Sequence, residues 1–462
     1  MEEVYQHPQR FITCLKPYKQ NISLFPDLNR QIQSDIDKPP AAVKPEVDFY
    51  IPITNYAKNF HRDLLYFIPE CDDRVDPNYD FLSDHHAPGR NAQRDDLYAH
   101  EIYQIKPNYD GILVSKCNIE QSKKKKEIIG EYGLRNYIRF PKDKGLVIGD
   151  CGAWTYVNCE VPPYETEEII DYYENLRVDI GVSIDHLIAP GTKQQSERER
   201  RYRITLDNAQ SFIYQWRMQE YNFRPSGVAQ GWDAASYHDA VDDLIAMGYK
   251  HISIGGLAQA QSNQILDIMK AVRPLIREDL EVHLFGVGRL DLIMAVHKLG
   301  ITSFDCARPL RQAWGGVTSN YYAPDGRAYA AIRVPQVDYK GGRMHKKIMA
   351  SKNHEATYQL YKEKEQRSLN SLRLYDKGML GLEETIEAVL DYDQLVGDGR
   401  EKHAQLYREV LEEQPWKKCG CEICNQVGIE VIIFRGNNRN RRRGFHNTYV
   451  YYKQFKEQLK IN

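Results

Sequence analysis

Three thiols fall within six residues in Lys418-Cys419-Gly420-Cys421-Glu422-Ile423-Cys424, and an imidazole follows in Gly444-Phe445-His446-Asn447. Thiolates and imidazoles are the preferred ligands of zinc, and the Cys-x-x-Cys spacing lets Cys421 and Cys424 face one ion. With Cys419 and His446 the set is Cys₃His, four protein ligands that leave no position for water. Such a site staples a fold and is not a catalyst. Three free cysteines and a core histidine are the alternative, which the tight spacing disfavours. The expected cofactor is therefore one structural Zn²⁺, and the chemistry must lie elsewhere.

A second set of residues can supply it. Short apolar runs are each followed directly by polar or glycine residues: Asp150-Cys151-Gly152-Ala153-Trp154, Asp185-His186, Gln230-Gly231-Trp232, Gly255-Gly256-Leu257-Ala258, Gly286-Val287-Gly288 and Asp305-Cys306. A lone aspartate after a strand is commonly a helix cap. Three on one rim, beside glycines that let a ligand approach the backbone, point to a site. Paired carboxylates without a cofactor motif suit chemistry at a sugar carbon, where one attacks the anomeric centre and the other moves protons. There is no Walker loop, and Gly286-Val287-Gly288 is too short for a dinucleotide fingerprint.

The elements that would position these residues alternate in type. Apolar runs at 111–115, 145–149, 180–184, 226–229, 251–254, 282–285 and 301–304 are separated by amphipathic helical stretches such as 236–247 and 261–272. Strands buried on both faces with helices between them are parallel βα units. At least seven in one run favour an α/β fold of the (β/α)₈ TIM-barrel type over a doubly wound open sheet. Four regions follow: an N-terminal elaboration (1–105), the barrel core (106–335), a charged helical insertion (336–415), and a zinc module with a C-terminal helix (416–462). Within the first, Pro39-Pro40-Ala41-Ala42 reads as a linker and Asp48-Phe49-Tyr50-Ile51-Pro52 as a short strand. Within the last, 428–434 reads as a strand and a helix is expected from about Asn447.

The totals constrain partners and compartment. The chain has 462 residues, a formal net charge of −2 and nine cysteines. A near-neutral chain has no global field for nucleic acid, so binding would need local basic patches. The cysteines form no even secreted framework, no signal segment is visible, and no apolar run is long enough to span a bilayer. The expectation is a cytoplasmic protein without membrane contact.

Taken jointly and in order, Asp150-Cys151-Gly152-Ala153-Trp154, Gly227-Val228-Ala229-Gln230-Gly231, Gly255-Gly256-Leu257-Ala258, Phe285-Gly286-Val287-Gly288, Phe304-Asp305-Cys306 and the Cys/His set resemble the tRNA-guanine transglycosylase family over roughly 145–335 and 416–455. That family replaces a guanine in nucleic acid by a 7-deazaguanine base on a zinc-bearing (β/α)₈ barrel. The resemblance implies that Asp305 is the nucleophile, holding the strand covalently through C1′, and that Asp150 is the acid/base group. Asp185 and Gln230, with the backbone of Gly255, Gly256 and Leu257, would read the base edge, and Trp154 and Phe285 would sandwich the flat base. Taken alone, large aromatics such as these are more often ordinary core residues.

The chain also departs from the family pattern. The usual Asp-Ser-Gly-Gly is Asp150-Cys151-Gly152-Ala153 here, and Gln261 stands where the bacterial tRNA enzyme carries a glutamate that handles an aminomethyl group. A neutral side chain cannot pair with an ammonium, so an uncharged 7-substituent such as cyano is expected. Arg435, Arg439, Arg441, Arg442 and Arg443 crowd beside His446 and read as phosphate-binding cations, with a solvated charge run as the alternative. The four-lysine run at 123–126 reads as a solvated helix face. These features resemble the DNA-modifying branch, which inserts 7-cyano-7-deazaguanine into DNA. The partner would then be DNA, with tRNA as the alternative and helper proteins for duplex opening as candidates. A non-catalytic binding subunit and a plain glycosidase are the readings from other classes.

Overall fold

The computed structural model describes residues 64–69, 72–103, 108–315, 318–340, 342–397 and 400–461. The expected linker at 39–42 and strand at 48–52 lie outside them. Eight parallel strands close into a barrel in chain order. They are β1 (Leu65–Pro69), β2 (Gly111–Ser115), β3 (Leu146–Asp150), β4 (Ile180–Val182), β5 (Arg224–Ala229), β6 (His251–Ile254), β7 (Glu281–Leu284) and β8 (Ser303–Asp305).

Seven of the eight match the expected runs. The eighth, β1, lies inside the span assigned to an N-terminal elaboration, which corrects the 1–105 boundary. Leu65-Tyr66-Phe67-Ile68 is an unbroken apolar tetrad, but it stands alone with no helical repeat before it, so periodicity gave it no context. Its pairing closes the barrel: Phe67 aligns with Asp305 on one side and with Gly111 on the other.

The strand interior follows the two-residue period of side-chain direction. Leu65, Phe67, Leu113, Leu146, Ile148, Ile180, Val182 and Val228 form one apolar plug inside the barrel. The opposite faces pack on the surrounding helices, which are α1 (Lys123–Tyr132), α2 (Thr166–Leu176), α3 (Gln195–Met218), α4 (Ala234–Ala246), α5 (Ser262–Val272) and α6 (Leu290–His297). Residues Lys123 to Lys126 open α1 on its exposed side, as expected. Cys159 is disulfide-bonded, which departs from a wholly reduced set of thiols.

The insertion is helical, with α7 (His354–Asp376), α8 (Leu382–Val396) and α9 (Arg400–Glu413) as its long members. The segment expected as a strand at 428–434 is instead a 3₁₀ turn, Gly428–Ile432, followed by a two-residue strand, Ile433–Phe434. The final helix, α10 (Gly436–Ile461), starts eleven residues earlier than expected. It covers the outer faces of β8 and β1, where Phe455 packs edge-on against Phe304 at 5.3 Å and Tyr451 against Tyr66 at 5.2 Å. It thereby takes the place of an eighth barrel helix. No helix among the described residues is long and apolar enough to cross a membrane.

Candidate active site

The C-terminal ends of the barrel strands bring the expected carboxylates to one mouth. Asp150 and Asp305 are the last residues of β3 and β8, and both share the inward parity of the apolar plug. Asp185 follows β4 by three residues, and Gln230 directly follows β5 with the inward parity of Val228.

Asp150 sits at the rim, where its Oδ2 accepts the Gly152 N–H at 2.9 Å. Gly152 can offer that N–H because it adopts φ +85°, a left-handed conformation that suits glycine. A Cβ there would also meet Ser115 Oγ at 2.4 Å. The Asp150 carboxyl is pushed up to about 8, first by removal from water, then by the charges of Asp185 and Asp305. At neutral pH it is therefore largely a protonated acid.

Asp185 and Gln230 are buried and bonded to each other. The Gln230 amide donates to Asp185 Oδ2 at 2.7 Å, and Gln230 Oε1 accepts the Ile188 N–H at 3.2 Å. Burial pushes Asp185 up to about 6 against the lowering effect of that amide. The two expected base readers thus form one fixed unit, and each keeps part of its hydrogen-bonding capacity, an Asp185 oxygen and one amide hydrogen. Gly255 donates its N–H to Ala229 and accepts from the Tyr237 hydroxyl at 2.7 Å, which pins the Gly255-Gly256-Leu257 turn beside them. Leu257 is buried.

Asp305 is buried and held by two donors on one oxygen. The Gly286 N–H lies 2.9 Å from Oδ1, and His283 Nε2 lies 3.2 Å from the same atom. Gly286 makes this approach at φ +70°. The Tyr66 hydroxyl donates to the Cys306 carbonyl at 2.7 Å and anchors the chain just past the carboxylate. His283 is a neighbour of Asp305 that motif reading missed. Its signal was its inward parity one strand from Asp305, visible only once strand order was known.

The two aromatic candidates lie at different depths. Trp154 stands on the 3₁₀ turn after β3 and is 43% exposed. Phe285 is partly buried against the barrel plug, with its ring 4.8 Å from His283. The exposed indole of Trp154 is therefore not a core residue, whereas Phe285 packs against the core as an ordinary aromatic would. Beside the mouth, a cavity of about 250 Å³ is lined by Gly288, Arg308, Tyr322, Arg327, Tyr451 and Gln454 among others. Arg308 is exposed three residues after Asp305.

Cys419, Cys421, Cys424 and His446 converge, with their donor atoms all within 4.8 Å of one another. His446 Nδ1 faces the thiols, and its Nε2–H donates to the Tyr322 carbonyl at 2.7 Å, which fixes the tautomer a metal ligand needs. The Tyr321 ring stacks on His446 at 4.2 Å. Three thiols and an oriented imidazole in a buried cage could bind a metal ion.

Four of the five arginines do not face solvent. Arg435, Arg439, Arg442 and Arg443 are buried, and their partners are internal. Arg435 and Arg439 both bind Asp84, and Arg439 also binds Glu430. Arg442 donates to the Asp76 carbonyl, and Arg443 donates to the carbonyls of Val431, Ile433 and Ala313. These four are corrected from phosphate contacts to structural clamps that tie α10 to the segment around 76–84 and to the end of the barrel. Arg441 alone keeps appreciable exposure, and it pairs with Asp73 at 2.9 Å. The positions 435, 439, 442 and 443 recur at the spacing of one helix face, the signal that a reading of this stretch as a loop passed over.

The chain is similar to several known proteins. A family model described as queuine tRNA-ribosyltransferase matches residues 160–372, a span that excludes Asp150 and the Cys/His cluster. A DNA-guanine transglycosylase of Salmonella montevideo is 40% identical over 86% of this chain and 98% of its own length. A tRNA-guanine(15) transglycosylase of Nanoarchaeum equitans is 28% identical over 40% of this chain and 44% of its own length. A queuine tRNA-ribosyltransferase of Thermodesulfovibrio yellowstonii is 29% identical over 32% of this chain and 39% of its own length.

Proposed function

Because the chain belongs to the guanine transglycosylase family, as a pentosyltransferase, we propose that it replaces guanine in DNA by a 7-deazaguanine base through a covalent aspartyl–sugar intermediate. The observation that carries the reading is the pairing, at one barrel mouth, of a carboxyl pushed up to about 8 on Asp150 with the twice-bonded carboxylate of Asp305. A protonated acid beside a carboxylate held by two donors is suited to pair a proton donor with a nucleophile.

In the first half-reaction Asp305 attacks C1′ of the target nucleotide. The C1′–N9 bond breaks, its electron pair leaves with guanine, and Asp150 delivers the proton that neutralises the departing base. In the second, the incoming base gives its N9 proton to the Asp150 carboxylate and attacks C1′, releasing Asp305. Two inversions retain the anomer, and one glycosidic bond replaces another, so no energy source is needed. Asp185 accepts from the N1–H and N2–H donors of the purine, and the free amide hydrogen of Gln230 reaches its O6. Trp154 and Phe285 offer aromatic faces to the base.

Gln261, exposed at the start of α5, carries no charge, which favours an uncharged 7-substituent such as cyano. The Cys₃His cage holds a structural zinc ion through Cys419, Cys421, Cys424 and His446. With the buried arginines withdrawn from the candidate contacts, the exposed Arg308, three residues after Asp305, is a candidate contact for a backbone phosphate. The target guanine must leave its stack to reach Asp305.

The test is exchange of labelled guanine into DNA and into tRNA by the purified protein, with capture of a denaturation-stable adduct. Incorporation into DNA, with the adduct lost in Asp305→Ala, is the expected result. Incorporation into tRNA alone would overturn the DNA assignment.

A further inference from the structure

The barrel interior is not uniformly apolar. Beneath the mouth, Ser226 Oγ lies 2.8 Å from both Ser253 Oγ and His251 Nδ1. On the neighbouring strands, Ser303 Oγ lies 2.9 Å from His283 Nδ1, and His283 Nε2 reaches Asp305 Oδ1. Removing an imidazole and hydroxyls from water is costly unless every polar atom is bonded, and aliphatic side chains would fill the space more cheaply. His283 is fully buried with both ring nitrogens engaged. Its ring meets Phe67 edge-on at 5.8 Å and Phe285 at 4.8 Å, so it cannot turn without displacing either.

The bonding fixes the proton. A carboxylate can only accept, so Nε2 carries the hydrogen towards Asp305. Nδ1 is then an acceptor, and the Ser303 hydroxyl donates to it. Asp305 Oδ1 therefore has two donors, His283 Nε2–H and Gly286 N–H, while Oδ2 accepts from no described residue.

We propose that His283, oriented by Ser303, is a positioning residue for the nucleophile. It holds Oδ1 of Asp305 in place and turns Oδ2 towards the sugar. This rests on the transglycosylase reading and deepens it by naming the attacking oxygen and the group that aims it. Two donors on one oxygen block rotation of the carboxylate. The same contact stabilises the leaving carboxylate in the second half-reaction, when Asp305 is expelled from C1′. The other titratable groups facing this pair are Asp150 from β3, Tyr66 from β1, His251 from β6 and Cys306, next to Asp305 in the chain.

The test compares His283→Phe, which keeps the ring and loses the donor, with His283→Gln, whose amide can restore a donor near Nε2. Covalent adduct formation is followed in single turnover at saturating DNA. His283→Phe is expected to slow it on the order of 100-fold with DNA affinity unchanged, as for loss of a preorganised donor. His283→Gln is expected to recover most of the rate, and Ser303→Ala to lie between. Wild-type rates in His283→Phe would overturn the proposal, as would equal losses in the Phe and Gln variants.

A readout independent of turnover uses the full-length protein with ¹⁵N-labelled histidine. His283 is expected as the Nε2–H tautomer, with its resonances moved by Asp305→Asn. The Nδ1–H tautomer would overturn the proposal even if the substrate were tRNA. Failure of the wild type to form any adduct while the tautomer is as expected would instead count against the transglycosylase reading.

Discussion

Replacing Asp150 by Asn is expected to stop turnover and to stabilise the fold. The carboxyl is pushed up to about 8 in the folded protein, whereas an aspartate in an unfolded chain titrates near ~3.9. The folded state therefore binds a proton that the unfolded state releases, and stability falls as pH rises between the two values. At about 1.4 kcal/mol per tenfold change in proton affinity, the ceiling on this cost is about 6 kcal/mol above pH 8. Asp150 is not fully sealed, since the rim leaves it open to the mouth, so about half of that is the working figure after solvent screening. An asparagine removes the titration yet can still accept the Gly152 N–H through its amide oxygen.

The variant should therefore match the wild type in thermal stability near pH 4 and exceed it by about 3 °C near pH 8.5, given the entropy of unfolding of a chain of this size. Scanning fluorimetry across that range, beside adduct formation at pH 7, checks both halves. A stability gain that does not grow with pH, or a variant that turns over normally, would refute the assignment of Asp150 as a strained buried acid.

Other consequences follow from the same geometry. Base exchange should be bell-shaped in pH, falling below about 6 as Asp185 gains a proton and stops accepting from the purine, and falling above about 8 as Asp150 loses the proton it must deliver; a rate flat from pH 5 to 9 would contradict both roles. One equivalent of zinc should be released together with reactive thiols under chelation, and α10 should lose protection from hydrogen exchange as the cage opens. Arg443→Leu should cost about 3 kcal/mol in denaturant titration, because three backbone carbonyls lose their donor, with the salt dependence of DNA binding unchanged. Arg308→Ala should leave stability alone and lower that salt slope by about one.

The parts legible in the sequence are those where chemistry depends on residue type at short range. The Cys₃His set, the carboxylates after apolar runs and seven of the eight strands could be read from spacing. What escaped depended on tertiary partners. Leu65–Pro69 is too short to declare itself a barrel strand until β2 and β8 are there to pair with it. The arginines near His446 carry charge, and charge in sequence reads as surface. Only the folded segment around Asp84 and the acid Glu430 turn them inward.

His283 escaped for a related reason, and its case separates the two kinds of information. In the chain it is a lone histidine in an apolar run, which ordinarily means a satisfied core residue. In space it is that and more, because the atom that satisfies it is Oδ1 of Asp305. The buried arginines bind α10 to its surroundings, and the buried imidazole binds β7 to the end of β8. Both are polar groups whose desolvation is offset only by fixed partners. The difference lies in what the partner then does: among the described residues Asp84 binds only arginines, whereas Asp305, in the proposed mechanism, presents its other oxygen to a sugar. A loss confined to rate in His283→Phe, against a loss confined to stability in Arg443→Leu, would separate the two uses of a buried polar group within one chain.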